Sequence, residues 1–454
     1  MKIFQHKPML RILCLLVCSV AITAYGQLPK PETIFSQMEK VADWQWKTLA
    51  TTGWKNAKTD WTSGAMYTGM MAFGKLAKTD LYYQKLIQVG QDNQWKIGRY
   101  RHFADDYCVG QLYSQLYTIY QDPHYIADFK TLADTLITLE HDESLEWKKS
   151  IHLREWAWCD ALFMGPPALA YLSEATGDPR YLDKASTLWW KTTAYLYDKD
   201  DQLFYRDSRY FTKQEKNGAK VFWSRGNGWV IAGLARVLTT MPATHPDYKR
   251  FVKLFRDMAT KLALLQQPDG SWHASLLDPE SFASKETSGT GFITYAMAWG
   301  VNQKLLPYVK YKNVLEKAWS ALSTSVHPNG KLGYVQAQGA APDKVGYDDT
   351  DVYGVGAFLL AGTELFKLKL NQDHHALIQE VNNPTGASKS EQVKIPWRKL
   401  KKISGSKNLQ KLQVTDAATG QSVPFTVERE GAKVKNIQIE QTVSAGSTRY
   451  IIIQ

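Results

Sequence analysis

Asp160-Ala161-Leu162-Phe163-Met164-Gly165-Pro166-Pro167-Ala168-Leu169-Ala170-Tyr171-Leu172, followed by Asp178-Pro179-Arg180-Tyr181, is the stretch from which the architecture can be read. The first run is apolar and begins at a lone carboxylate, which predicts a buried helix over 158–176. The second places Asp at a cap position and Pro at the first helical position, a physical start signal. It predicts an amphipathic helix over 179–197. A buried helix and an amphipathic one, joined by a short turn, form one unit.

The unit recurs. Asp122-Pro123-His124-Tyr125 and His245-Pro246-Asp247-Tyr248 repeat the amphipathic start. Asp60-Trp61-Thr62-Ser63-Gly64, Asp105-Asp106-Tyr107-Cys108-Val109-Gly110, Arg225-Gly226-Asn227-Gly228-Trp229, Ser288-Gly289-Thr290-Gly291 and Asp351-Val352-Tyr353-Gly354-Val355-Gly356 repeat the small-residue start. Apolar spacings of three and four predict about twelve helices, near 32–50, 61–76, 79–94, 105–121, 123–139, 158–176, 179–197, 225–241, 245–266, 288–303, 308–325 and 351–368. Six such pairs close into a mainly α (α/α)6 barrel, with small-residue helices inside and amphipathic ones outside. The inner starts then meet at one mouth, which Asp106, Asp160, Arg225, Glu286 and Asp351 would line.

Beyond about residue 388 the texture changes to short alternating runs, Lys394–Trp397, Leu412–Thr415, Pro424–Val427 and Arg449–Ile453, divided by Gly405, Gly420, Gly431 and Gly446. These predict a small all-β, sandwich-like module over 388–454, after a linker at Asn382–Gly386. At the other end, Lys2, Lys7 and Arg11 precede a short apolar run to Ala24, and Ala24-Tyr25-Gly26 offers small residues for cleavage. This reads as a signal peptide over 1–26, with a periplasmic or secreted product, and leaves 27–387 as the barrel. The apolar run is too short to span a membrane of about 20 residues.

Composition excludes some functions. The formal charge is +11. The leader carries three of those charges. The segment from Lys389 carries twelve Lys/Arg against five acids. The barrel is therefore close to neutral, which argues against a nucleic-acid partner. Two cysteines follow the leader, Cys108 and Cys159, too few for a disulfide framework and best read as buried packing residues. Metal-ligand spacings, a phosphate loop and a nucleophile elbow are all missing from the sequence. No cofactor and no obligate protein partner is expected. Carboxylates and aromatics at convergent helix starts remain, with 16 Trp and 24 Tyr in the chain. That combination suits glycosidic chemistry, where one acid protonates and another group positions water or charge.

Each candidate has two readings. Asp160 is a first-turn acid favoured by the helix dipole, or a general acid whose pKa an apolar pocket raises. Asp106, which faces Gly110 and Tyr113 along its helix, is preferred to its neighbour Asp105. Arg225 and Trp229 lie one turn apart on one face. They form a grip and a stacking surface for a carboxylated sugar, or an ion pair and core. Trp61 is a cavity wall or core.

Four ordered motifs, Trp158–Met164, Arg225–Trp229, Lys285–Thr290 and Asp351–Ala361, resemble glycoside hydrolase family 105, the unsaturated rhamnogalacturonyl hydrolases, and more distantly the unsaturated glucuronyl hydrolases. The resemblance spans roughly 32–370 and leaves out the β module. It implies an (α/α)6 barrel without metal or cofactor. It also implies a substrate, an oligosaccharide left by a polysaccharide lyase, with a 4,5-unsaturated uronic acid at its non-reducing end. In the implied reaction a carboxylic acid protonates C4 and water adds at C5. The resulting hemiketal rearranges and releases the aglycone. Asp160 matches the general acid and Asp106 a second carboxylate. Arg225 and Trp229 match residues of the uronide subsite. Arg206 stands where family members often carry His, as a possible partner for the uronate carboxylate or for a sulfate. Pectic products are the first expectation for the substrate, with glucuronyl products of ulvan or arabinogalactan as the alternative. An inert glycan binder and a uronate lyase are the alternatives from other classes.

Overall fold

A computed structural model describes residues 27–403 and 409–454. The expected signal peptide and the turn at Gly405 lie outside the described residues.

Thirteen helices precede the β module among those residues: α1 (Pro31–Thr52), α2 (Trp61–Gly74), α3 (Leu81–Asp92), α4 (Ala104–Tyr107), α5 (Gly110–Tyr120), α6 (Ala127–Ile137), α7 (Ala161–Thr176), α8 (Pro179–Leu196), α9 (Ser224–Thr240), α10 (Tyr248–Leu264), α11 (Thr287–Asn302), α12 (Tyr308–Ser323) and α13 (Val352–Asn371). The inner ring runs α2, α5, α7, α9, α11, α13, and α13 packs back on α2, so the barrel is closed. Outer helices lie against it, such as α8 on α7 and α10 on α9.

The two helix types differ in burial for a physical reason. Every residue of α11 from Thr287 to Val301 is buried, as is every residue of α9 from Ser224 to Leu238. An inner helix meets neighbours on all sides. On α10 only one stripe, including Phe251, Phe255, Met258 and Leu262, is buried. The recurring small residues of the inner set have a packing role. A Cβ on Gly69 would lie 2.3 Å from the Gly356 carbonyl oxygen, and one on Gly356 would lie 2.3 Å from that of Ala65. The backbones of α2 and α13 meet there with no room for a side chain.

Some boundaries depart from the periodicity. The helix expected over 105–121 breaks into α4 and α5 at Cys108-Val109. That expected over 123–139 begins as a 3-10 turn, Pro123–Tyr125, capped by Asp122 accepting from the His124 amide at 3.0 Å. Capping fixes the turn, and α6 starts only after it.

The C-terminal module has two three-stranded sheets. One orders β3 (Leu377–Asn382), β8 (Thr448–Ile453) and β5 (Val414–Asp416); the other orders β4 (Lys389–Pro396), β7 (Lys433–Val443) and β6 (Phe425–Glu430). Ile395, Val414, Ile437, Ile439, Ile451 and Ile453 share its core. The first strand begins eleven residues before the boundary read from the sequence, so Asn383–Gly386 links two strands of the module. A short helix, Trp397–Ile403, also interrupts the strands. The module docks on the end of α2. The Thr448 amide donates to the Lys75 carbonyl at 2.7 Å, and the Tyr83 hydroxyl to the Gly446 carbonyl at 3.1 Å. A buried ion pair of Arg449 with Asp416 stands beside this seam.

Candidate active site

Acids gather at the N-terminal ends of the inner helices, where the helix dipole favours them. Most are caps. Asp60 accepts from the Thr62 amide at 2.9 Å. Glu286 accepts from the amides of Ser288 at 3.1 Å and Gly289 at 2.6 Å, and from Gln336 at 3.3 Å. Asp351 accepts from the Val352 amide at 2.8 Å. These carboxylates satisfy helix ends and have structural work.

Asp160 is different. It occupies the N-cap position of α7 in a helical conformation, and its side chain makes no capping bond. The carboxyl is turned instead toward Arg206, whose Nε donates to Oδ2 at 3.2 Å. The Cys159 thiol contacts the same oxygen at 3.8 Å. Asp160 is 8% exposed. Burial pushes its pKa up, and the charges of Arg206 and Arg225 pull part of the way back.

Arg206 is held in place. Its Nη1 donates to Asp207 at 2.7 Å, and its guanidinium lies 4.9 Å from the Trp147 ring centre. Arg209 also pairs with Asp207, at 2.8 Å, and covers Trp147 at 4.3 Å. The backbone ties this segment to Asp160, because the Cys159 amide donates to the Arg206 carbonyl at 2.8 Å. Arg206 therefore reaches the mouth and touches the acid itself.

The second carboxyl near Asp160 is Asp105, not Asp106. Burial raises the Asp105 pKa well above the usual range, with Asp160 the next cause. The Asp105 carboxyl has no hydrogen-bond or ion-pair partner among the described residues, while its backbone carbonyl accepts from the Cys108 amide at 3.1 Å. Burial shifts both carboxyls toward the acid form. Asp106 turns to the loop before α4. It accepts from the Tyr100 amide at 2.6 Å and packs on Gly98, where a Cβ would collide with its carboxyl. Consecutive residues of a helical turn point about 100° apart, and the tilt of α4 decides which of the two faces inward.

Arg225 is 1% exposed, and its two terminal nitrogens are committed. Nη1 and Nη2 bind the carbonyls of Gln336 and Ala337 at 2.6 and 2.8 Å. The guanidinium is flanked by Trp223 and Tyr353. It anchors the 336–337 loop and adds positive charge near Asp160. Its Nε is buried without a hydrogen-bond partner among the described residues. Trp229 is 1% exposed, inside a cluster with Phe163, Phe292 and Trp61, and presents no face to a ligand. Trp61 is half-buried and stacks on Tyr353 at 5.4 Å, so it is the member of that cluster nearest to solvent.

Trp147, His152 and Arg209 were not singled out by sequence reasoning. Trp147 and His152 stack at 5.4 Å, and Trp158 and Phe103 sit against His152. Burial, Arg206 and Arg209 hold the His152 pKa down, so the ring is neutral near pH 7. Trp147, His152 and Trp158 come from an irregular segment between α6 and α7, and Arg209 from the one between α8 and α9. A buried Glu155 braces the first of these, binding Lys191 at 2.8 Å and the Glu143 amide at 3.2 Å. The composition of Glu146–Trp158 was the available signal, but it carries no periodicity.

Comparison with known proteins adds an independent line. The family model described as Glycosyl Hydrolase Family 88 matches residues 37–369. A protein of Formosa agariphila named "Unsaturated 3S-rhamnoglycuronyl hydrolase" is 38% identical over 374 residues, covering 79% of this chain and 97% of that protein. A solved structure named "Polysaccharide Lyase BACCELL_00875" is 31% identical with a TM-score of 0.68, covering 75% of this chain and 98% of that one. One named as a glycosyl hydrolase family 88 protein from Bacteroides vulgatus is 30% identical with a TM-score of 0.67, covering 75% of this chain and all of that one.

Proposed function

The chain belongs to Glycosyl Hydrolase Family 88 and is a glycosidase, and on that premise we propose that it removes a 4,5-unsaturated uronic acid from oligosaccharides by hydrating the C4=C5 bond. One observation carries the reading. Asp160 is the buried carboxyl at the mouth that caps no helix, and it faces an arginine with a partnerless acid nearby.

The chemistry follows from that environment. A general acid at neutral pH needs a carboxyl with a raised pKa. Asp160 protonates C4, and the positive character at C5 is met by water. The same carboxylate, now ionised beside Arg206, takes the proton of that water. Arg206 stabilises the ionised stage and so keeps Asp160 from being locked in its acid form. Burial shifts the neighbouring Asp105 carboxyl toward its uncharged form, which opposes a second negative charge in the site. Arg206 and Arg209, stacked on Trp147, offer positive charge to the acidic sugar.

For the substrate, the name of the Formosa agariphila relative favours an unsaturated glucuronyl residue linked to rhamnose over the pectic galacturonyl one. Export into the periplasm or beyond suits such a substrate and is supported by the Lys2–Gly26 pattern. A second reading, a lyase, is favoured by the name of one similar structure. One assay separates them. Lyase-generated oligosaccharides absorb in the ultraviolet through the conjugated C4=C5 bond. Loss of that absorbance on glucuronyl-rhamnose products supports the hydrolase, and a rise on intact polysaccharide would overturn it.

A further inference from the structure

The six inner helices have a second end. There a cavity of about 380 Å³ lies between their last turns and the β module. Lys75 follows α2, Tyr171 and Glu174 lie on the last turns of α7, Arg236 on α9, Tyr295 on α11, and Lys367 on α13. Asn382, Pro384 and Gly446 of the module form the remaining wall. The catalytic candidates stand at the opposite ends of the same helices.

The polar groups of this cavity are incompletely satisfied. Arg236 is 3% exposed, and its Nε donates to Gln111 at 2.6 Å. Its Nη2 is buried without a partner. An unpaired guanidinium nitrogen at such depth is costly. Lys367 pairs with Glu364 at 2.8 Å, which removes one charge of each sign. Lys75 and Glu174 make no ion pair within 4 Å. Burial pulls the Lys75 pKa down and pushes that of Glu174 up. The lining holds three cations, Lys75, Arg236 and Lys367, against two acids, Glu174 and Glu364.

Aromatic surface completes the set. The Arg236 guanidinium lies 4.9 Å from the Tyr171 ring centre, and Tyr295 and Trp299 line the same wall. A volume of 380 Å³ is several times the roughly 30 Å³ share of one water and falls within the range of small-ligand pockets. Cations at one wall suit a carboxylate, phenols and amides suit hydroxyls, and ring faces suit a pyranose.

We propose that this cavity is a second binding site, for a single-ring sugar acid, built jointly by the barrel's closed end and the β module. The carboxylate pairs with Arg236 and Lys75, and the ring packs against Tyr171 and Tyr295. The module thereby forms a wall of a ligand site, in addition to covering the helix ends.

Titration calorimetry of the full chain with D-glucuronate tests this, because it reads binding directly and does not depend on hydrolysis. Saturable binding is expected, weakened about tenfold by Lys75→Gln, the loss of one charged hydrogen bond. Tyr295→Phe, an isosteric change that keeps the fold, should weaken it as well. Binding that neither substitution alters would place the ligand at the mouth and overturn the proposal. So would the absence of saturable binding, which would leave the cavity with water only.

Discussion

The two ends of the inner ring are made from the same six helices and differ in the charges that their own termini contribute. At the mouth stand Asp60, Asp105, Asp160, Glu286 and Asp351. At the closed end the cations Lys75, Arg236 and Lys367 outnumber the acids Glu174 and Glu364. The macrodipole favours that distribution, acids at N-termini and cations at C-termini. Charge at a helix end is therefore the default, and by itself says nothing of catalysis. What separates a working group from a cap is where its hydrogen bonds go. Asp60, Glu286 and Asp351 accept theirs from helix amides. Asp160 and Asp105 do not.

The largest test of that distinction is Asp160→Asn. If Asp160 is the proton donor, kcat should fall about 10³-fold while the circular dichroism spectrum and Tm hold. Near-normal turnover would put Asp160 back among the structural acids.

Asp105→Asn should lower kcat/KM about 100-fold, and it should also raise Tm. Asp105 has a raised folded pKa. As pH climbs above the ordinary carboxyl value, the unfolded chain ionises and the folded one resists, so stability falls until the folded pKa is passed. The amide removes that slope. The gain in Tm should be larger in mildly alkaline than in mildly acidic buffer; an equal or negative change would show that Asp105 is paired in solution.

Arg206→Gln sharpens the comparison through pH. Arg206 lowers the Asp160 pKa, so its loss lets that pKa rise. A general acid works while protonated, and the alkaline limb of the kcat/KM profile should move to higher pH as kcat falls. A limb that stays in place, or moves down, would separate Arg206 from the acid.

The smallest activity effect belongs to a cap. Glu286→Ala should cost about 1–2 kcal/mol of stability, read by urea unfolding, because it frees two α11 amides. Turnover should change only through the 336–337 loop that Glu286 and Arg225 both brace. A loss comparable to Asp160→Asn would blur the line between caps and catalytic acids.

Much of this was legible in the chain. The paired helix starts marked the barrel, and the apolar run after Asp160 marked an inner helix. The family motifs marked Asp160 itself. For other residues spacing left open what the packing shows. Arg225 and Trp229 do share a face, but that face points into protein, and helical spacing cannot tell a cavity wall from a core. Asp106 and Asp105 differ by one residue, and only the tilt of the four-residue α4 chose between them. The longest strand, β7, escaped because only Ile437, Ile439 and Val443 of its eleven residues are buried and apolar.

The amino-acid sequence by itself determined the repeating helix pairs, the placement of acids at one set of helix ends, and the identity of the buried carboxyl that starts α7. These are local matters of periodicity, capping and dipole. The tertiary structure alone decided which acids are spent on caps, that Arg206 reaches Asp160 from 46 residues away, and that a charged cavity closes under the β module. Each of these depends on segments distant in the chain arriving at one place. Local propensity contains no term for that, whereas ring closure and the docking of the β module do.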